Sequence, residues 1–498
     1  MNRTEALEAL DAAEPFDVCI IGSGPAGTIL GRSLVERGVR TVIVESGTTL
    51  GRWFLDSGMR ELAAYDFSGD TDYPLTRTRA RALGGTSNFW TGRCERLQPA
   101  DFEDHSYSPD GGWPVRYDDL APYYETAERA LRVRGGKLSD YYPPRESDLP
   151  LPAGSDISRL RELMAEVGIT VDDSPSATPA KGWHTFRVQK ELLPDFVASP
   201  HALLVSGLTV RRLVPDSEGR ITAAEARTLE GAEKTIRARY YVVCCGGIES
   251  PRLLMLSRSK DFPGGIGNRH DRIGRGFNEH AGVNFYGGLR ASWKNLLPHY
   301  KLGRSYQFYD SFKQEGLGGV LAVFIQSWFF PNHLMSVSPS KIASGLLRIL
   351  RRIGRPELYI GATIEMLPCD SNRVTLSETR KDRFGDPLAH LYFSFTDEDR
   401  RTLEKLRQTI RGVYEKLGAR DVREGEITWS RHHIGTCRMG NDPETSVVDA
   451  NLRVHESPNL HLCGAEVFAT GGAGPPVLTL TALALRLADH IVERVKGS

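Results

Sequence analysis

Residues 16–27 read FDVCIIGSGPAG, an apolar run that ends in a Gly-x-Gly-x-x-Gly motif. A second apolar run, residues 40–44 (RTVIV), follows and is succeeded by the acid Glu45. This order predicts a strand, a glycine turn, a helix and a second strand, which together form the βαβ unit of a Rossmann-like α/β fold. Because both strands, the helix and the acid accompany the glycines, the motif indicates a dinucleotide site rather than a chance glycine loop.

Each part of this motif has a physical role at a dinucleotide. Gly22 permits the tight turn, Gly24 lets the backbone approach a pyrophosphate, and Gly27 lets the helix pack close to the strand. The N-terminus of the helix then presents free N–H groups and a partial positive charge to the phosphates. We expect Glu45 to accept hydrogen bonds from ribose hydroxyls.

Composition excludes several classes of protein. The 498 residues contain 63 Lys plus Arg and 63 Asp plus Glu, so the zero net charge gives no argument for a nucleic-acid partner. The longest apolar runs are too short for a transmembrane helix, and residues 1–15 lack the features of a secretory signal. Seven cysteines, an odd number with Cys244 and Cys245 adjacent, argue against a disulfide framework. We therefore expect a cytoplasmic protein without a structural metal.

The middle of the chain has a different pattern. From about residue 278 to residue 400, aromatic and alternating segments predict an antiparallel sheet. The prediction is a first domain formed by residues 1–277 and 401–498, with a substrate domain at 278–400 inserted into it. Residues 344–355 are basic and amphipathic; a surface helix is favoured, and contact with a membrane or cover over a site is the alternative.

The C-terminal third narrows the function. Residues 432–440 read HHIGTCRMG and residues 471–479 read GGAGPPVLT, while residues 81–90 (RALGGTSNFW) and 245–254 (CGGIESPRLL) lie upstream. In order and spacing these segments resemble the motifs of the glucose–methanol–choline (GMC) flavin oxidoreductases, whose signature HxxGTxxMG matches the first of them. The chain is most similar to the bacterial branch that resembles pyranose oxidase and sugar or polyol dehydrogenases.

The resemblance implies FAD, with its adenine end on the βαβ unit and its isoalloxazine near residues 84–91 and 464–479. Relatives that bind FAD covalently carry a histidine where this chain has Phe89, so we expect non-covalent binding. The cofactor-binding residues that the resemblance implies are Gly22, Gly24, Gly27, Glu45, Ser46, Arg81, Gly84, Gly85, Thr86, Asn88, Trp90, Val210, Gly246, Gly464, Ala465, Pro476 and Val477.

His432 stands where the family's catalytic histidine stands, three residues before Gly435. Alcohol oxidation removes a hydride from carbon and a proton from the hydroxyl, and histidine is the usual base for the second step. We expect His432 to be that base. His433 is the second catalytic candidate, although a buried, hydrogen-bonded structural role is favoured for it.

One departure from the family concerns Pro475. It stands where the family has its second catalytic residue, an Asn or His, and proline offers no side-chain donor or acceptor. Substitutes include His433, Glu466 and polar residues of the inserted domain, and the sequence selects none of them.

The leading hypothesis is an FAD-dependent oxidoreductase acting on a CH–OH group of a sugar, glycoside, aminocyclitol or related secondary metabolite, with hydride transfer to flavin N5. Oxygen or another acceptor would then reoxidise the flavin. Pro475 supports the alternative of a non-redox flavoprotein of the lyase or decarboxylase type, and a binding protein without catalysis is the third hypothesis. Substrate identity, oxidase or dehydrogenase behaviour and oligomeric state do not follow from the sequence.

Overall fold

A computed structural model describes residues 2–104, 112–135, 157–180, 185–289, 302–328 and 356–497. Its strands, in chain order, are β1 Phe16–Ile21, β2 Thr41–Glu45, β3 Tyr65–Ser68, β4 Val133–Arg134, β5 Asp172–Asp173, β6 Ser176–Ala177, β7 Ala202–Ser206, β8 Leu208–Pro215, β9 Ile221–Thr228, β10 Glu233–Ile236, β11 Ala238–Val243, β12 Ala281–Gly288, β13 Leu302–Ser305, β14 Val320–Trp328, β15 Pro356–Ile364, β16 Arg373–Lys381, β17 Pro387–Tyr392, β18 Arg420–Glu424, β19 Thr428–Trp429 and β20 Leu460–Leu462.

Its helices, also in chain order, are α1 Arg3–Asp11, α2 Pro25–Val35, α3 Leu50–Leu55, α4 Ser57–Leu62, α5 Tyr117–Ala130, α6 Ser158–Ala165, α7 Val188–Glu191, α8 Leu193–Val197, α9 Gly246–Leu256, α10 Tyr309–Gln314, α11 Asp397–Lys416 and α12 Val477–Lys496. The basic stretch 344–355 lies outside the described residues.

A parallel sheet in the order β20-β11-β1-β2-β7 forms the centre of the first domain. Every residue of β2 is buried, as expected for a strand covered by helices on both faces. The closing helix α12 packs against both α2 and α5 and so returns the end of the chain to its beginning. The predicted Rossmann-like α/β fold is confirmed.

The predicted antiparallel sheet is also present, in the order β18-β12-β15-β14-β13-β5, with β19 paired to β12. Three of its strands, β5, β18 and β19, come from outside the range 278–400. Helix α11 covers this sheet, and the hydroxyl of Tyr414 on α11 donates to the carbonyl groups of Phe285 and Leu358. A single hydrophobic core includes residues from both sheets.

Helix α9 begins at Gly246, because β11 leads directly into it through Cys245. It contains Pro251, which has no N–H to donate to the carbonyl of Gly247 one turn earlier. The hydroxyl of Thr436 donates to that carbonyl at 2.8 Å. Thr436 belongs to the GT pair of the C-terminal motif, so this bond connects two distant motifs.

No helix of the described ranges is long and apolar enough to cross a membrane. All seven cysteines are free thiols.

We expect Thr436→Val to lower the thermal unfolding midpoint, because it leaves the buried carbonyl of Gly247 without its donor. The cost of an unsatisfied buried acceptor is about 1–3 kcal/mol. Thr436→Ser keeps the hydroxyl and is the matched control. Equal midpoints for the two variants would contradict this role for Thr436.

Candidate functional site

A cavity of about 560 Å³ opens at the carboxyl edge of the parallel sheet and extends to the antiparallel sheet. Gly24, Glu45 and Val210 line one end, and His432 and Pro475 line the other. Ligands of doubly wound α/β proteins bind at this edge, and the volume lies within the usual range of small-molecule sites.

The glycine turn is shaped so that its backbone faces this cavity. Gly22 has φ +107°, and a Cβ there would lie 2.6 Å from the carbonyl oxygen of Cys244. A Cβ on Gly27 would lie 2.1 Å from the carbonyl oxygen of Gly22, so only glycine allows α2 to approach β1 this closely. A Cβ on Gly24 would meet no atom within 4 Å, because Gly24 faces the cavity at the N-terminus of α2.

The carboxylate of Glu45 is held in place by the turn beside it. It accepts hydrogen bonds from the N–H (3.0 Å) and hydroxyl (2.8 Å) of Ser23, the N–H of Gly47 (2.8 Å) and the hydroxyl of Ser46 (3.3 Å). The hydroxyl of Ser23 in turn accepts from the N–H of Gly84 at 3.2 Å. This chain of bonds joins the glycine turn to the loop at residues 81–90.

Arg81 is fixed by an ion-pair cluster on the cavity wall. Its guanidinium and those of Arg79 and Arg252 surround the carboxylate of Glu249, and Arg252 also pairs with Asp382 at 2.6 Å. Burial alone would raise the pKa of Glu249, but the three arginines bring it well below its ordinary value. The cluster therefore contains an ionised carboxylate and presents excess positive charge to the cavity.

The structure places most of the predicted cofactor residues on the cavity wall. These are Gly22, Gly24, Glu45, Ser46, Arg81, Gly85, Thr86, Trp90, Val210, Gly246, Gly464, Ala465, Pro476 and Val477.

Three predicted residues, Gly27, Gly84 and Asn88, are not among the wall residues. Gly27 provides the helix contact described above. The side-chain amide of Asn88 donates to the carbonyl groups of Leu83 (3.0 Å) and Gly85 (2.8 Å), and its oxygen accepts from Gln189. Asn88 therefore holds the loop in shape from behind the wall.

His432 and His433 both lie on the cavity wall, although their hydrogen bonds point to different partners. Nε2 of His433 bonds to the hydroxyl of Thr78 at 3.0 Å, and its ring packs against Tyr73 and Phe277. Nδ1 of His432 lies 2.8 Å from Nδ1 of His280. Nε2 is thus the ring nitrogen of His432 that this contact leaves for the cavity.

All three histidine rings are neutral at pH 7. Burial, His280, His433 and the guanidinium groups of Arg93 and Arg304 lower the pKa of His432 well below its ordinary value. Burial lowers the pKa of His433 to about 3 and that of His280 to about 4. A neutral imidazole carries one unprotonated nitrogen, so each ring can accept a proton.

Pro475 lies on the wall with His432 and brings no polar side chain to it. Of the substitutes considered from the sequence, Glu466 is buried and is not a wall residue, and His433 is bonded to Thr78. Thr363 reaches the wall from the antiparallel sheet, where its hydroxyl donates to the carbonyl of Ala473 at 3.3 Å.

Sequence reasoning missed Glu279 and His280. The buried carboxylate of Glu279 accepts from the N–H groups of His280 (2.8 Å), Arg431 (2.7 Å) and His432 (2.7 Å) and from the hydroxyl of Tyr73 (2.7 Å). The available signal was a run of three polar residues, 278–280, directly before an apolar strand.

No group of three or more His, Cys, Asp or Glu side chains within the described residues is arranged to hold a metal ion.

Comparisons with known proteins agree with this geometry. Two family profiles, both described as GMC oxidoreductase, match residues 17–282 and 368–484. The chain is 30% identical to 6'''-hydroxyparomomycin C oxidase of Streptomyces lividus, over 99% of this chain and 94% of that protein. It is 28% identical to paromamine 6'-oxidase of Streptomyces fradiae (98% and 93% covered) and 25% identical to the fructose dehydrogenase large subunit of Gluconobacter japonicus (96% and 98% covered).

Two solved structures share the fold. Pyridoxine 4-oxidase from Mesorbium loti superposes with a TM-score of 0.66 at 21% identity, covering 95% of this chain and 99% of that one. Formate oxidase superposes with a TM-score of 0.68 at 18% identity, covering 98% and 100%.

Substitutions at two glycines should separate cofactor binding from folding. We expect Gly24→Ala to leave the unfolding midpoint of the apoprotein unchanged and to weaken FAD binding about tenfold or more, because its methyl group projects only into the cavity. Gly27→Ala should lower the midpoint as well, since its methyl group would clash with Gly22. Fluorescence titration with FAD and thermal unfolding measure the two effects. An equal loss of stability in both variants would contradict the assignment of Gly24 to the cavity face.

Stability should depend on pH through Glu466. Burial raises its pKa from the ordinary 4.5 to about 7. Below the ordinary value both the folded and the unfolded chain hold the proton. The protonated Glu466 side chain stabilises the folded state relative to the unfolded one. This contribution to the free energy of unfolding is lost as pH rises through about 7, where the folded chain releases the proton from a buried site.

Comparison with Glu466→Gln tests this pH dependence. The midpoint of the wild type, relative to that of the variant, should fall between about pH 5 and pH 8, because only the wild type has the titrating group. Parallel midpoint curves over this range would show that Glu466 does not titrate with a raised pKa.

Proposed function

The chain belongs to the GMC oxidoreductase family, and on that basis we propose that it oxidises a CH–OH group of a sugar, glycoside, aminocyclitol or related secondary metabolite with His432 as general base. The observation that supports this most directly is the neutral ring of His432 on the cavity wall, with Nδ1 engaged by His280 and Nε2 left for a substrate. A base of this kind must reach the hydroxyl proton within hydrogen-bond distance.

FAD is the cofactor of this family, and the residues on the cavity wall suit it. The open backbone at Gly24 and the N-terminus of α2 would receive the pyrophosphate, and Glu45 and Ser46 the ribose. The backbone at Val210 would contact the adenine. Phe89, also on the wall, has no nitrogen for a covalent link, which supports non-covalent binding.

The chain's own residues remove the hydroxyl proton and position the substrate. Bound FAD supplies the acceptor for the hydride. His432 takes the hydroxyl proton at Nε2, so that the alcohol leaves as a carbonyl compound. Leu321, Val323 and Thr363 line the cavity from neighbouring strands β14 and β15 and would orient the substrate. Oxygen or another acceptor completes the cycle.

The relatives support a hydroxylated substrate. Two of them are named as oxidases of 6'''-hydroxyparomomycin C and paromamine, and a third is named as a dehydrogenase of fructose.

Pro475 supports a second candidate, a flavoprotein without net redox chemistry. It leaves the end of the cavity that contains His432 without the second polar residue that the family uses on the hydroxyl. Flavin reduction separates the two candidates, because only the first predicts it.

The proposal is tested by the anaerobic visible spectrum of the purified holoprotein, before and after addition of sugars, aminocyclitols and simple alcohols. Bleaching of the oxidised flavin band by one compound is the expected result, and that compound identifies the substrate class. Product formation by a chain whose flavin stays oxidised would replace the proposal with the non-redox candidate.

We expect His432→Ala to retain FAD and to reduce flavin about 10²-fold or more slowly than the wild type, since it removes the base. Stopped-flow absorbance under anaerobic conditions gives the rate. His433→Ala is the companion variant, and a smaller loss there agrees with its bond to Thr78. An unchanged rate in His432→Ala would remove His432 from the mechanism.

A further inference from the structure

We propose that His280 is a positioning residue that fixes the tautomer of His432, so that Nε2 of His432 faces the cavity without a proton. This inference rests on the proposed function, because it concerns the base of that reaction. It assigns a role to a residue directly before β12 of the antiparallel sheet, which the sequence motifs did not single out.

The two rings contact each other directly. The Nδ1 atoms of His280 and His432 are 2.8 Å apart, and the rings meet edge to face at 84° with centroids 4.9 Å apart. His280 is 1% exposed, so no water competes for this contact from its side. The carboxylate of Glu279 accepts hydrogen bonds from the backbone N–H groups of both residues, which fixes the position of one ring relative to the other.

A bond between two Nδ1 atoms requires that one carry a proton and the other not. In a neutral imidazole the second nitrogen then has the opposite state. If His280 carried the proton at Nδ1, His432 would accept at Nδ1 and carry its own proton at Nε2, where it could not take another. The tautomer of His280 therefore decides whether His432 can act as a base toward the cavity.

The surroundings of His280 favour the productive arrangement. Its Nε2 lies beside Gly471, since a Cβ on that glycine would be 3.2 Å from it. Burial lowers the pKa of His280 overall, while the backbone of Gly471 and Gly472 acts in the opposite direction and favours a proton on the ring. Among the described residues no side chain bonds to this buried nitrogen. A proton on Nε2 of His280 leaves its Nδ1 as an acceptor, and His432 must then donate from Nδ1.

The test compares two substitutions at His280. Asn places a carbonyl oxygen at the same distance from the backbone as Nδ1 and keeps an acceptor for His432. Leu has a similar size and offers none. His461→Leu is the matched control, because His461 is also a fully buried histidine but packs against Tyr240 and His490, outside the cavity wall.

The first readout needs no substrate. Nitrogen-15 NMR of the holoprotein labelled at its histidine rings distinguishes protonated from unprotonated nitrogens, and the spectrum of His432→Ala identifies the signals of His432. We expect Nδ1 protonated and Nε2 unprotonated in the wild type and in His280→Asn, and a mixture of tautomers in His280→Leu. A protonated Nε2 in the wild type, or an unchanged tautomer in His280→Leu, would overturn the inference.

The second readout is the rate of anaerobic flavin reduction by the substrate that the spectral panel identifies. His280→Leu should reduce flavin at least about tenfold more slowly than His280→Asn, with FAD content like the control. Equal rates for the two variants would overturn the positioning role while leaving the proposed function intact. If NMR gives the expected tautomers but no compound reduces the flavin, the results would support the pairing of His280 with His432. They would at the same time contradict the proposed function.

Discussion

The hydrogen bonds to the carboxylate of Glu279 fix the position of His432, the proposed base. This carboxylate accepts four hydrogen bonds, from Tyr73 in one segment, from His280 beside it and from the N–H groups of Arg431 and His432. Arg431 has φ +68°, a left-handed conformation that costs a residue with a side chain about 1 kcal/mol or more. The pKa of Glu279 is raised to about 7, because burial outweighs the four hydrogen bonds that favour its ionised form. The hydrogen bonds to Glu279 offset the backbone strain at Arg431 and fix the position at which the His432 side chain enters the cavity.

Burial determines the protonation of the site as well as its shape. His280 is buried and His432 and His433 are half-buried, and the loss of hydration makes a positive charge on any of the three rings costly. The nearby guanidinium groups of Arg93 and Arg304 act in the same direction on His432. The burial that shapes this end of the cavity therefore also favours the neutral form of His432.

The sequence predicted the elements whose signals are local. The glycine turn, the acid Glu45 and the C-terminal motif are contiguous patterns, and the structure brings most of the predicted residues to one cavity. The roles of Glu279 and His280 depend on contacts with residues about 150 positions away, so no local period could reveal them. The first turn of α9 depends on a distant contact in the same way, because Thr436 supplies the donor that Pro251 lacks.

The antiparallel sheet is assembled from parts of the chain that are far apart in sequence. Its edges are β5 at residues 172–173 and β18 at residues 420–424, while its centre comes from residues 281–364. A segment cut at 278 and 400 would therefore carry unpaired strand edges. Exchange of this unit between relatives, in order to transplant substrate preference, requires three separate pieces of chain to be moved together.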